Sequence, residues 1–167
     1  ELYIEFDEVK YNSKKLEEFH KKLSKLKFLD PACGCGNFLV TTYREIRKLE
    51  LEVLKLKRKN NQLSLLGTDE LSIVNVNQFY GIEIEEFPSL VARVAMYLVD
   101  HQMNQLLSTE FGLYQARIPL REPATIVNAD ALTTDWQSVV PKNELSYILG
   151  NPPFVGARLM SKEQKEA

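Results

Sequence analysis

The stretch Lys27-Phe28-Leu29-Asp30-Pro31-Ala32-Cys33-Gly34-Cys35-Gly36-Asn37-Phe38-Leu39 decides the fold. Lys27 to Asp30 reads as a short strand, Pro31 to Gly36 as a tight loop of small residues, and Asn37 as the start of a helix. Leu39, Tyr43, Ile46 and Val53 then recur on one helical face. Gly34 and Gly36 remove side chains where a ligand can approach the backbone. The helix that follows presents free N–H groups at its start. A Gly-x-Gly pair suits nucleotide-binding folds in general. The dinucleotide fingerprint needs a third small residue three positions after the second glycine, and Leu39 stands there, which argues against NAD or FAD.

The same alternation continues on both sides. Upstream, Leu16, Phe19 and Leu23 predict a helix from about Ser13 to Lys25, with Ser13 as its N-cap. Downstream, Phe79 to Ile84 reads as a second strand. Pro88 lies in the opening turn of a long helix, where proline is tolerated. That helix is expected to bury Val91, Val94, Ala95 and Leu98 and to run to about Leu107. Thr125 to Asp130 and Ser146 to Gly150 read as the third and fourth strands. Gly67-Thr68-Asp69 reads as a turn, Ile73 to Val76 as a strand or an ordered loop, and Ser108 to Pro123 as a polar connection. The run Lys55 to Asn61 reads as a solvated helix end whose cations complement the dipole. Strands alternating with helices imply an α/β fold with a parallel sheet. Such sheets bind ligands at the carboxyl ends of their strands, near the point where strand order reverses.

Bulk properties narrow the function classes. The chain has 167 residues, enough for one domain with a core, and a formal charge of −2. A protein that grips a nucleic-acid backbone unaided is usually basic, so any such grip is expected to lie elsewhere in a longer protein. No apolar run is long enough to span a membrane. Glu1 to Glu8 is acidic, unlike the basic start of a signal peptide, so a cytoplasmic, reducing location is expected. Cys33 and Cys35 are too close for an ordinary disulfide. With His20 and His101 distant, no common zinc spacing is present, and no metal is expected.

Three further groups stand at predicted strand ends. Glu83, in Gly81-Ile82-Glu83-Ile84, can accept both hydroxyls of a ribose. Asp130, in Asn128-Ala129-Asp130, can accept an exocyclic adenine amine. Gly150-Asn151-Pro152-Pro153-Phe154 follows the fourth strand. Prolines stiffen that turn and hold Asn151 extended. An exocyclic amine on a base donates its lone pair into the ring and must take it back to attack a methyl group. The Asn151 side-chain oxygen and the Pro152 carbonyl can each accept one N–H, which favours that change without a strong base. Phe154 can stack on the base. Together with the glycine loop, these groups form an S-adenosylmethionine site facing a planar amine.

In this arrangement the chain resembles the amino-group DNA methyltransferases that make N6-methyladenine. Asp30-Pro31-Ala32-Cys33-Gly34 is similar to the loop of restriction–modification methylases, and Phe79 to Asn104 and Ser146 to Gln164 resemble the MmeI-like group. The resemblance implies a Rossmann-like S-adenosylmethionine-dependent methyltransferase fold. Residues 1–26 would form a leading helical segment, and 27–167 the cofactor-binding and Asn-Pro-Pro-Phe core. It implies that Asp30 and Ala32 hold the methionine end of the cofactor, Glu83 the ribose, and Asp130 the adenine amine. Ile84 and Pro153 would contact the adenine ring. Asn151, Pro152 and Phe154 would be catalytic, on an adenine flipped from double-stranded DNA gripped by the full-length protein. Ala131 departs from relatives that place an aromatic after the acid, so one stacking contact is expected to be missing. Relatives carry a seven-stranded sheet, so a partial catalytic domain in a bacterial cytoplasm is expected, inactive alone and prone to self-association. Two alternatives share or drop the chemistry: a guanine-N2 RNA or protein-glutamine methyltransferase, and a noncatalytic fragment.

Overall fold

The computed structural model describes residues 1–60, 72–112 and 123–151. In chain order these form α1 (Leu2–Val9), α2 (Ser13–Leu23), β1 (Phe28–Asp30), α3 (Asn37–Lys59), a 3-10 turn (Val76–Gln78), β2 (Phe79–Glu83), α4 (Glu86–Phe111), β3 (Thr125–Asn128), α5 (Trp136–Val139) and β4 (Tyr147–Ile148). The strands make one parallel sheet in the order β3-β2-β1-β4. Strand order reverses between β1 and β4, so the crevice beyond their carboxyl ends is the switch point at which such sheets take ligands. The predicted turn at Gly67-Thr68-Asp69 lies outside the described residues, as do Pro152, Pro153 and Phe154.

Period-2 alternation divides the strands between two faces. Phe28, Phe79, Ile126 and Tyr147 enter a large core with α2, α3 and α4. Leu29, Tyr80, Ile82 and Val127 point the other way, onto a smaller cluster with Val139, Val140 and Trp136. On the helix side the aromatic rings form a ladder. Phe28 stacks on Phe79 at a centroid distance of 4.7 Å and on Tyr147 at 5.4 Å, and Tyr43 of α3 meets Phe79 edge-on. Strand pairing follows the ladder, with Phe28 opposite both Phe79 and Tyr147.

Several boundaries and one face differ from the sequence expectation. Asn12, not Ser13, is the N-cap of α2; its side chain accepts the Lys15 N–H at 3.0 Å. The strands are shorter than read, and α4 runs on to Phe111, where Gly112 ends it in a left-handed conformation. The buried face of α4 is Ser89, Ala92, Met96, Val99, Asp100, Met103 and Leu107, whereas Val94 and Leu98 are 58% and 51% exposed. Apolar residues surround this helix, so periodicity alone does not choose a face. Close approach does: a Cβ on Gly36 would come within 3.1 Å of the Ala92 Cβ. The helix α1, within the leading segment 1–26 expected to be helical, lays Leu2, Phe6 and Val9 on the core, with Phe6 against Phe19. The segment before β2 is a loop and a 3-10 turn rather than a strand. The basic end of α3 is paired: Lys57 with Glu17 at 2.6 Å, and Lys55 with Glu52 and Glu110. No described helix is long and apolar enough to cross a membrane.

A buried polar network ties these helices to the sheet. The Glu50 carboxylate, 1% exposed, accepts from His20 Nε2, the Ser72 hydroxyl and the Ile73 and Val74 amides, and pairs with the Arg47 guanidinium at 3.2 Å. Lys57 Nζ lies 3.2 Å from His20 Nδ1. An ammonium only donates, so Nδ1 accepts and Nε2–H donates to Glu50. Arg47 continues to Tyr43, Asp100 and Asn104. The Gln78 amide donates to the Leu23 and Leu26 carbonyls, closing the turn between α2 and β1.

Burial opposes ionisation of Glu50, but the His20 hydrogen bond, the Arg47 charge and the Ile73 amide outweigh it and hold its carboxyl below the ordinary glutamate value. A depressed folded pKa stabilises the fold above the unfolded value of about 4.3, and that contribution is lost as pH falls through the folded value. Glu50→Ala is therefore expected to lower unfolding free energy at pH 7 by about 3–5 kcal/mol, as when one partner of a buried ion pair is removed. Urea unfolding at pH 7 and pH 3 checks this. The variant should lose less stability on acidification than the wild type, and parallel losses would refute the assignment.

Candidate functional site

All the groups singled out from sequence within the described residues stand at the carboxyl ends of the four strands. Asp30 ends β1, Glu83 ends β2, Asp130 follows β3, and Gly150 and Asn151 follow β4. Backbone bonds lock the intervening loops together. Cys33 N–H donates to the Ile82 carbonyl, and Ala129 N–H to the Glu83 carbonyl. The Asn128 amide donates to the carbonyls of Glu83 and Ile84 at 2.9 Å each, fastening the end of β3 to that of β2.

The Glu83 carboxylate is fixed by two backbone donors: Gly34 N–H reaches Oε2 at 2.8 Å and Glu85 N–H reaches Oε1 at 2.9 Å. Each oxygen retains a lone pair for a further donor. Gly34 has a φ of 53° and nothing within 4 Å of where its Cβ would be, so the loop is open to a ligand there. Gly36 differs. It caps α3 with a φ of 84°, and the space its side chain would need belongs to Ala92 of α4. The glycine at 36 is thus required by helix packing, apart from any access it gives a ligand.

Asp30 is 1% exposed. Its Oδ1 accepts the Ala32 N–H at 3.0 Å, and its Oδ2 is buried without a hydrogen-bond partner among the described residues. Burial pushes the Asp30 pKa up and the nearby Glu83 charge adds to this, against the Ala32 hydrogen bond. Buried unsatisfied carboxylate oxygens are uncommon and call for a partner. Cys33 beside it is inert: burial, with the Asp30 and Glu83 charges, pushes its thiol up to about 12. Asp130 folds back on its own loop, Oδ1 accepting the Leu132 N–H at 2.9 Å and its carbonyl accepting Thr133 and Thr134. Ile84 and Leu132 are 63% and 70% exposed, apolar side chains standing beside the two acids. Ala131 packs instead against the smaller core, and its carbonyl accepts the Trp136 indole N–H. Leu132 had no signal in the sequence, since only exposure distinguishes it from a core leucine. Asn151 is exposed, directly after Gly150.

The arrangement is an anionic, backbone-ordered rim with apolar edges along one end of a parallel sheet. It suits a ligand carrying a cation, hydroxyls and a flat ring. Residues 6–167 match the family model described as MmeI, DNA-methyltransferase domain. The chain is 39% identical over 156 residues to DNA methyltransferase A of Bacillus subtilis, covering 90% of this chain and 17% of the relative. It is 26% identical over 98 residues to a putative type II restriction enzyme and methyltransferase of Methanocaldococcus jannaschii, covering 59% of this chain and 8% of the relative. Among solved structures, the Type IIL restriction-modification enzyme MmeI, in complex with DNA, superposes with a TM-score of 0.90 at 54% identity, over 99% of this chain and 22% of that one. The chain therefore spans less than a quarter of the length of these relatives. The family's description as a methyltransferase domain implies a methyl donor. With its sheet, its strand-end acids and its match along almost the whole sequence, the chain belongs to the MmeI DNA-methyltransferase domain family.

Proposed function

We propose that this chain supplies the cofactor pocket and the target-amine turn of a site-specific DNA adenine-N6 methyltransferase in a restriction–modification system, with S-adenosylmethionine as donor. The observation that carries the proposal is the Glu83 carboxylate, held by the Gly34 and Glu85 amides in the same rim as a buried Asp30 oxygen that lacks a partner. A polar rim already ordered before the ligand arrives costs little to reorganise.

The residues fit that donor. Asp30 with Ala32 would hold the cationic methionine end, which gives the unpartnered Oδ2 its missing donor. Glu83 would accept the ribose hydroxyls, and Asp130 the adenine amine. Ile84, with Pro153, would pack on the adenine ring, and Leu132 adds apolar surface where Ala131 offers none. Gly34 and Gly36 keep the loop narrow. The bound donor supplies an electrophilic methyl group on a sulfonium.

Asn151 and the Pro152 carbonyl would accept the two N–H bonds of the target amine. They would thereby draw the lone pair out of the ring and onto nitrogen. Phe154 would stack on an adenine taken out of the duplex, because a base inside the stack does not expose its amine to such a pocket. A formal charge of −2 suits a chain whose main grip on double-stranded DNA would lie in other parts of a longer protein. Access to DNA fits a bacterial cytoplasm. Isolated, the 167-residue chain is expected to self-associate. Among the described residues β4 is an edge strand carrying Ile148, 59% exposed, and an uncovered strand edge invites pairing. Sedimentation that stays monomeric up to high concentration would contradict that.

Two substitutions in the full-length enzyme separate the roles. Asn151→Ala should slow single-turnover methylation of an adenine-containing duplex by about 10²–10³, the cost of one preorganised acceptor, with cofactor affinity nearly unchanged. Full single-turnover activity in that variant, or a defect confined to cofactor binding, would remove Asn151 from the mechanism. Glu83→Ala should instead weaken S-adenosylmethionine binding by roughly 1.5–3 kcal/mol per charged hydrogen bond lost, with a rate that recovers in part at high cofactor. Calorimetry showing wild-type affinity in Glu83→Ala would refute the ribose assignment. Mass spectrometry of the methylated nucleoside identifies the base, and a product other than N6-methyladenine would overturn the substrate.

A further inference from the structure

The crevice between β1 and β4 holds one contact that the proposed roles leave unexplained. A Cβ built on Gly150 would lie 2.5 Å from Asp30 Oδ1, 3.0 Å from its Cγ and 3.4 Å from Oδ2. The φ of Gly150 is 144°, a backbone conformation that L side chains rarely adopt. The Asp30 carboxylate is thus gripped from two sides. Ala32 N–H holds Oδ1, the Gly150 backbone lies directly against the group, and Oδ2 is buried with no partner among the described residues. One residue beyond Gly150 stands Asn151, exposed on the same rim.

We propose that Gly150 is a positioning residue: its bare Cα seats the Asn151 turn against the Asp30 carboxylate, so that the cofactor end and the target-amine end of the site are set by one contact. This rests on the reading of Asp30 as cofactor ligand and Asn151 as target acceptor. A side chain at 150 must push away either the carboxylate or the turn. Because the two abut, moving one moves the other. The carboxylate has no slack, since Oδ1 is already committed to Ala32 and the residue is 1% exposed. Occupation of Oδ2 by a cation would in turn hold Asp30 against Gly150. Cofactor binding and the placement of Asn151 are then coupled, although neither residue needs to touch the other's ligand.

A double-mutant cycle in the full-length enzyme tests this, with Gly150→Ala, Asp30→Ala and the pair. The readouts are S-adenosylmethionine affinity by equilibrium dialysis, single-turnover methylation at saturating cofactor, and the ligand-free melting temperature. Gly150→Ala is expected to lower affinity at least about fivefold, within the range for residues in direct contact, and to slow methylation at saturation as well. In the Asp30→Ala background the clash is gone. There the same substitution should lower affinity and melting temperature by clearly less than in the wild type, leaving only the cost of the unusual φ. Should Gly150→Ala alone fail to fold, recovery of folding in the double variant supports the contact, and a double variant that also fails to fold overturns it. Additive losses in affinity and melting temperature overturn it too, as does a Gly150→Ala enzyme that keeps wild-type affinity and rate. A wild-type enzyme that binds no S-adenosylmethionine overturns the cofactor reading and this inference together. A wild-type enzyme that binds it while the losses add overturns this inference alone.

Discussion

Strand register in this sheet rests on a row of three rings. Phe79, Phe28 and Tyr147 stack across β2, β1 and β4 on the helix side, with Tyr43 of α3 closing the row edge-on. A strand side chain repeats with period two, so a slip of one residue would turn each ring onto the opposite face. With Phe28 opposite Phe79, Asp30 lies level with Gly81, two residues short of Glu83. With Phe28 opposite Tyr147, Leu29 pairs with Ile148, so Gly150 falls just beyond Asp30. The ladder sits at the start of the strands and the acids at their ends. Packing at one end of the sheet therefore sets the chemistry at the other. Each aromatic pair contributes about 0.5–1.5 kcal/mol beyond its buried area, enough to prefer one register over its neighbours.

The second constraint is polar. Glu50 gathers four hydrogen bonds and the Arg47 ion pair from α2, α3 and the segment before β2, and Gln78 joins that segment to the turn before β1. A buried charge is tolerable when its lone pairs are filled, and here they are. The network fixes how β2 enters the sheet, hence where Glu83 emerges. Glu83 in turn holds the loop after β1 through Gly34 N–H. Glu83 is therefore structural, whatever ligand it also meets. Removing its side chain should loosen the glycine loop, and a glutamine there, whose amide nitrogen cannot accept, would still leave one of the two backbone N–H donors unpaired.

Much of this site was legible because its signals are local. A loop of small residues between an apolar strand and a helix is marked by composition, and Asn37 does begin α3. Acids just past apolar runs mark strand ends, and Glu83 and Asp130 stand there. What escaped depends on tertiary approach. The face of α4 is chosen by Ala92 fitting under Gly36 and by Asp100 meeting Arg47 and Tyr43, none of which a helical period encodes. Asn12 and Ser13 are both good caps, and only the geometry of Lys15 N–H selects the first. The α5 turn is four residues long, too short to show a period. Leu132 and Ile84 look like core residues until their exposure is known.

Glycines in this chain carry different meanings that the letter G hides. Gly34 leaves open space, Gly36 yields to a helix, and Gly81 would bring a Cβ to 2.8 Å from the Cys33 sulfur. The consequence at Cys33 is chemical. Gly81 lets the thiol sink beneath the loop, where burial keeps it protonated near neutral pH, so a cysteine one residue from the open loop position stays unreactive. The loop is thus floored by an inert thiol and walled by Glu83 and Asp30, with polarity confined to its rim. Such a rim offers a ligand acceptors that are fixed before it binds.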